Sequence, residues 1–174
     1  MTTDQCHWFD APREDEVLVL LWDKGHDAMD SAIRLITHGT ATHAAFLRGN
    51  GRIVEDFYPR VRERDWRPGE AAKVGHYRIA GSTCDDWWRL ERWLDWQVAH
   101  PQAYSIVDLI RYALHLPPAP GSAAFCSMFV LRGIRLQLSA CKQPLARLEH
   151  MDWASPAQLA NSPLLIKQRK HARR

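Results

Sequence analysis

The stretch Thr42-His43-Ala44-Ala45-Phe46-Leu47-Arg48-Gly49-Asn50-Gly51-Arg52-Ile53-Val54-Glu55-Asp56-Phe57-Tyr58 decides the fold, because it reads as two strands folded back on one another. Thr42 to Leu47 and Ile53 to Tyr58 are apolar runs, and Asn-Gly between them is a strong hairpin signal. His43 lies among small and apolar residues, an expensive place for an imidazole without a partner. Loop parity decides which carboxylate can be that partner, since strand side chains alternate between faces. A three-residue loop, Gly49-Asn50-Gly51, pairs Ala45 with Glu55 and sets Glu55 diagonally from His43 on one face. A two-residue loop shifts the pairing by one and offers Asp56 instead. Glycine on both sides of Asn50 suits the longer loop with its bulge, but the residues alone leave Glu55 and Asp56 open.

Working outward, Glu16 to Trp22 is a nearly continuous apolar run, expected as a central strand buried on both faces. Residues 1–15 are a polar lead-in, and Asp27 to Thr37 carries apolar residues at helical spacing. Downstream, Pro59 to Glu70 is rich in arginine and prolines and reads as an exposed loop, followed by a strand from Lys73 to Ala80. Its Arg60, Arg62, Arg64 and Arg67 suit either an anionic substrate or, as the ordinary reading, a solvated surface.

Ser82-Thr83-Cys84-Asp85-Asp86 has the form of a helix start, with a hydroxyl cap and acids in the first turn. The predicted helix reaches about Val98, with Trp87, Leu90, Leu94 and Val98 as its apolar stripe and Trp88, Trp93 and Trp96 widening the covered surface. Ser105-Ile106-Val107-Asp108 repeats the capping pattern, and Pro117 to Gly121 ends that helix in a stiff connector. A third helix is expected from Cys126 to about Leu138. Ser155 to Leu159 reads as a short helix or turn, and Ser162-Pro163-Leu164-Leu165-Ile166 as a last apolar segment forming an edge strand.

Cys126 therefore stands where an apolar helix begins. There, unpaired backbone N–H groups and the positive end of the helix dipole favour the anionic, nucleophilic sulfur. The same N–H groups suit a developing oxyanion. The plain alternatives are a small buried cysteine between Phe125 and Met128 and a structural histidine at position 43.

At 174 residues and 46% hydrophobic content the chain is expected to form one domain over residues 16–166. The net charge of +3 belongs to the tail from Lys167 onward, a basic segment over 167–174 read as disordered; the remainder carries a small excess of acid. Cys6, Cys84, Cys126 and Cys141 form no CxxC pair and have no histidines at zinc-ligand spacing, so no metal or other cofactor is implied. The N-terminal residues show no secretion signal, and no run approaches a membrane span, so a cytoplasmic protein with reduced thiols is expected.

These residues together resemble the circularly permuted papain-like NlpC-type cysteine peptidases and amidases, to which lecithin retinol acyltransferase is a distant relative. The resemblance spans roughly residues 16 to 166. It rests on the run from Asp23 to Gly39 leading into Thr42-His43-Ala44-Ala45, the hairpin with Gly51 and Ile53-Val54-Glu55, Tyr104 before a helix, Phe125-Cys126-Ser127, and the Ser155-Pro156 and Ser162-Pro163 ending. It implies an α+β fold with a small antiparallel sheet or barrel packed against helices. It also implies that a histidine and a polar orienting residue precede the cysteine, which favours Glu55 over Asp56. A role for Tyr104 at the oxyanion or substrate is implied as well, although Ser105 follows it where many relatives carry Asp or Asn.

The expected function is thus a cysteine-dependent hydrolase, or an acyltransferase, acting on an amide or ester bond of a peptide, lipid-linked or other acyl substrate. Cys126 attacks, His43 moves the proton and Glu55 orients the ring. The alternative is an inactive papain-like binding module that uses the basic tail and arginine-rich loop on nucleic acid or an anionic surface.

Overall fold

Val17-Leu18-Val19-Leu20-Leu21 offers neither face to water, and it forms the middle of the sheet. In the computed structural model, which describes residues 16–23, 31, 33–35, 39–67, 74–117, 125–140 and 154–168, this run is β1 (Leu18–Trp22). The other strands are β2 (His43–Leu47), β3 (Arg52–Phe57), β4 (Arg60–Asp65), β5 (Val74–Ile79) and β6 (Leu165–Lys167). They make an open six-stranded sheet in the order β4-β3-β2-β1-β5-β6, every neighbouring pair antiparallel. The fold is mixed α+β.

Four helices complete the described elements: α1 (Cys84–Ala99), α2 (Ile106–Ala113), α3 (Cys126–Ala140) and α4 (Pro156–Ala160). Residues 31 and 33–35 are also helical, and Ile33 is buried; the rest of the helix expected over 27–37 lies outside the described residues, as do the lead-in, most of the proline connector and the tail after Gln168. Caps fall where the side chains allow them. Ser105 accepts from the Asp108 N–H at 3.0 Å, and Ser155 from the Gln158 N–H at 3.0 Å. At α1 the Thr83 N–H and hydroxyl both donate to Asp86, at 2.8 and 2.6 Å.

Alternation along the strands splits the apolar residues into two cores. Val19, Leu21, Ala44, Phe46 and Val54 join the larger one with α1 and α3, while Leu18, Leu20, Ala45, Leu47, Ile53 and Val74 form a smaller cluster on the reverse face. The larger core closes on an aromatic group: Phe46 meets Phe129 edge-on at 5.9 Å, and Trp93 stacks on Phe129 at 5.0 Å. Each such ring contributes about 1.5–3 kcal/mol by its burial. The contact between α3 and the sheet depends on Gly133, where a Cβ would lie 2.6 Å from the Phe46 ring. A charged staple ties the hairpin to α1: Arg48 pairs with Glu63 at 2.9 Å, Asp95 at 2.7 Å and Glu91.

Three expectations change. The arginine-rich segment is largely a strand, β4, at the edge of the sheet, because Arg60-Val61-Arg62-Glu63-Arg64 alternates with period two and buries Val61 against the larger core. Trp88 and Trp96 do not widen the buried face of α1; they are 60% and 50% exposed, because they lie across the helix from Leu90 and Leu94. Each is covered locally, Trp88 by Arg92 at 4.7 Å and Trp96 by a stack on His100 at 5.1 Å. Finally, the basic segment is not disordered from its first residue: Lys167 belongs to β6, and the Gln168 N–H donates to the His76 carbonyl at 2.8 Å.

Candidate active site

The hairpin takes the three-residue loop. Phe46 pairs with Val54 and Leu47 with Ile53, which continues to Arg48 opposite Arg52; the Arg48 N–H donates to the Arg52 carbonyl at 2.9 Å. Gly51 adopts φ +79, a left-handed conformation that a side chain resists, and its N–H closes the turn on Arg48 at 2.9 Å. This register places His43 and Glu55 on one face. Their side chains meet, His43 Nε2 lying 2.9 Å from Glu55 Oε2.

Asp56, the alternative orienter, faces away from His43 by the same register. It turns to the other face with Val54 and Val61, fully buried, and neither of its carboxylate oxygens has a hydrogen-bond partner. Burial pushes its pKa up to about 8, against the opposing pull of the charges on His43 and Arg132.

Glu55 is almost wholly buried yet heavily partnered. Its Oε1 accepts from Arg62 Nε at 2.9 Å and Nη2 at 2.7 Å and from Arg64 Nε at 2.9 Å, leaving Oε2 to the imidazole. Burial alone would raise its pKa, but the hydrogen bond and charge of His43, then those of Arg64, hold the carboxyl well below the usual carboxylate range. Aromatic rings fix the histidine from two sides, Trp22 at 5.1 Å and Phe57 edge-on at 5.6 Å.

Cys126 is the first residue of α3 and is buried, and its side chain is close enough to that of His43 to interact with it. Burial pulls the His43 pKa down, but the interactions with Cys126 and then Glu55 outweigh it and raise the value to about 10. A histidine beside both a carboxylate and a thiol is the arrangement in which a proton can pass from sulfur to imidazole without leaving the site.

The structure thus brings Cys126, His43 and Glu55 together. Tyr104 stands at the entry to α2, half-buried against the larger core; its N–H donates to the Pro59 carbonyl at 2.9 Å, and the Arg60–Ala103 bridge sets it beside the β3–β4 turn. Sequence reasoning missed the part played by Arg62 and Arg64 in binding Glu55. The signal was there: Arg60, Arg62 and Arg64 alternating with Val61 and Glu63 are a strand pattern, and a strand after β3 would pair Glu55 with Arg62. Among the described residues no group of three or more His, Cys, Asp or Glu side chains could hold a metal ion, and no helix is long and apolar enough to cross a membrane. No protein-family model matches the chain, and no curated protein matches it significantly.

Proposed function

We propose that the chain is a cysteine-dependent hydrolase of the permuted papain-like, NlpC-type kind, acting on an amide or ester bond through a thioester, with acyl transfer as the same chemistry in the presence of another acceptor. One observation carries this reading: His43 is held between the Cys126 thiol and the Glu55 carboxylate. The order of the three in the chain, histidine and orienter before cysteine, is the one the family resemblance implies.

In the first step the Cys126 proton is on His43 and the sulfur attacks the substrate carbonyl carbon, so the C=O π pair moves to oxygen. Backbone N–H groups in the first turn of α3 have no partner within the helix and would suit that oxyanion. As the C–N or C–O bond breaks, the imidazolium gives its proton to the leaving group and the thioester remains. Water then attacks the thioester and loses its proton to His43; the acid departs, and the sulfur recovers its electron pair. Glu55 keeps the ring in the orientation and tautomer both steps need.

The binding-module alternative has less to draw on. Arg62 and Arg64, two of the four arginines in the segment it would use, are committed to Glu55.

A thiol-directed acylating probe should label the wild-type chain at Cys126, and Cys126→Ala should abolish that label while the circular dichroism spectrum is unchanged. Glu55→Gln should slow labelling by about 10- to 100-fold, since it removes the charge that supports the imidazolium. Labelling that persists in Cys126→Ala would exclude Cys126 as the nucleophile.

A further inference from the structure

Glu55 holds more positive charge than an orienting carboxylate requires. A single hydrogen bond to His43 would fix the ring, yet Oε1 takes three further guanidinium contacts from two arginines. The division between the oxygens is complete, with Oε1 on the arginines and Oε2 on the imidazole. Arg62 is itself held in place, its guanidinium lying 4.1 Å over the Phe57 ring whose edge meets His43. We propose that Arg62 and Arg64 are positioning residues of the Cys126–His43 pair, which fix Glu55 with Oε2 toward the imidazole and, by drawing charge to Oε1, set the pH range over which sulfur and imidazole remain an ion pair.

This inference rests on Cys126 being the nucleophile. Its physics is a competition. A carboxylate shared with two guanidinium groups offers less net negative charge to the imidazolium than one facing His43 alone, and the guanidinium charges oppose the imidazolium directly. Both effects move the pair's working range toward lower pH, and they are why a buried glutamate can support the histidine without holding its proton too firmly for transfer to a leaving group. Among the described residues, Asp56 on the reverse side of β3 also interacts electrostatically with His43, and Arg132 of α3 in turn with Asp56. Arg62 is the more exposed of the two arginines, at 46% against 24% for Arg64, so its contribution is the more screened by solvent.

The test is the rate of iodoacetamide alkylation at Cys126 in the full chain, read by mass spectrometry of the peptide that carries it, from about pH 4 to about pH 11. In the wild type the rate rises on an acid limb as the ion pair forms and changes again on an alkaline limb as His43 loses its proton. In Arg62→Gln and in Arg64→Gln both limbs should move upward, by roughly half to one pH unit. Arg62→Lys keeps the charge and loses the fork, so its limbs should stay near those of the wild type while the rate falls. Arg52→Gln removes a charge of the same sign that is engaged with Glu63, and its profile should not move. Arginines that only brace the strands would lower the rate at every pH and leave the limbs in place, and that result overturns the clamp. A wild-type sulfur that titrates as an isolated thiol overturns the Cys126–His43 reading and the clamp with it, whereas paired limbs in the wild type that neither glutamine variant moves overturn the clamp alone.

Discussion

Adjacent residues on β3 have opposite fates. Glu55 and Asp56 differ by one methylene and one position, yet the first is held anionic by His43 and two arginines while the second is buried without a hydrogen bond. The pleat is the cause, since neighbours on a strand face opposite sides. Asp56 therefore favours its neutral form in the fold, with its pKa raised from 3.8 to about 8. The native state then binds one more proton than the unfolded chain between those values, so this group's contribution to stability falls as pH rises through that window. Asp56→Asn removes the titration and keeps the shape. Urea denaturation should show the variant gaining on the wild type by roughly 2–4 kcal/mol between about pH 5 and about pH 8. A difference that stays constant over that range would mean that Asp56 is ionised in the fold. His43 acts in the same direction at higher pH: with its pKa raised from 6.5 to about 10, its contribution is complete below 6.5, falls as pH rises above it and is lost as pH passes about 10.

At the scale of elements, α3 connects the core to the site. Its first residue is the candidate nucleophile, and Phe129 in the first turn and Gly133 two turns on settle how closely it lies on β2. Gly133→Ala improves helix propensity by about 1 kcal/mol, but its Cβ would stand 2.6 Å from Phe46 and 3.1 Å from Leu90. Phe46 cannot withdraw, because Trp93 and Phe129 pack against it. A net loss of about 1–3 kcal/mol is expected in chemical denaturation, and Phe46→Leu in the same chain should recover part of it. The displaced helix should also slow the labelling of Cys126, although position 133 is two turns away from it. Equal stability of Gly133→Ala and the wild type would show that the helix–sheet contact is looser than described.

For the molecule as a whole, the sheet is secured at its centre and least at one edge. β1 is bonded on both sides by β2 and β5 and is buried on both faces, whereas β6 has three residues and one neighbour. Amide hydrogen exchange should therefore be slowest at Val19 to Leu21 and fastest among strand amides in β6. Protection at β6 equal to that of β1 would contradict this ordering. Local patterns in the sequence determined much of this framework. The unbroken apolar run gave β1, the Ser and Thr caps gave the helix starts, and Asn-Gly between glycines and arginines favoured the turn that Gly51 closes at positive φ. His43 and Cys126 were visible as candidates for the same local reasons, one as an imidazole in an apolar strand and the other as a cysteine opening a helix. Tertiary structure alone decided the rest. The register of β3 against β2 chose Glu55 over Asp56, the pairing of β4 turned an apparent loop of arginines into a clamp on that glutamate, and the packing of α3 on Phe46 brought sulfur to imidazole across more than eighty residues of chain. Each depends on contacts between segments far apart in sequence, and no local pattern encodes which face a strand turns to its neighbour until that neighbour is paired.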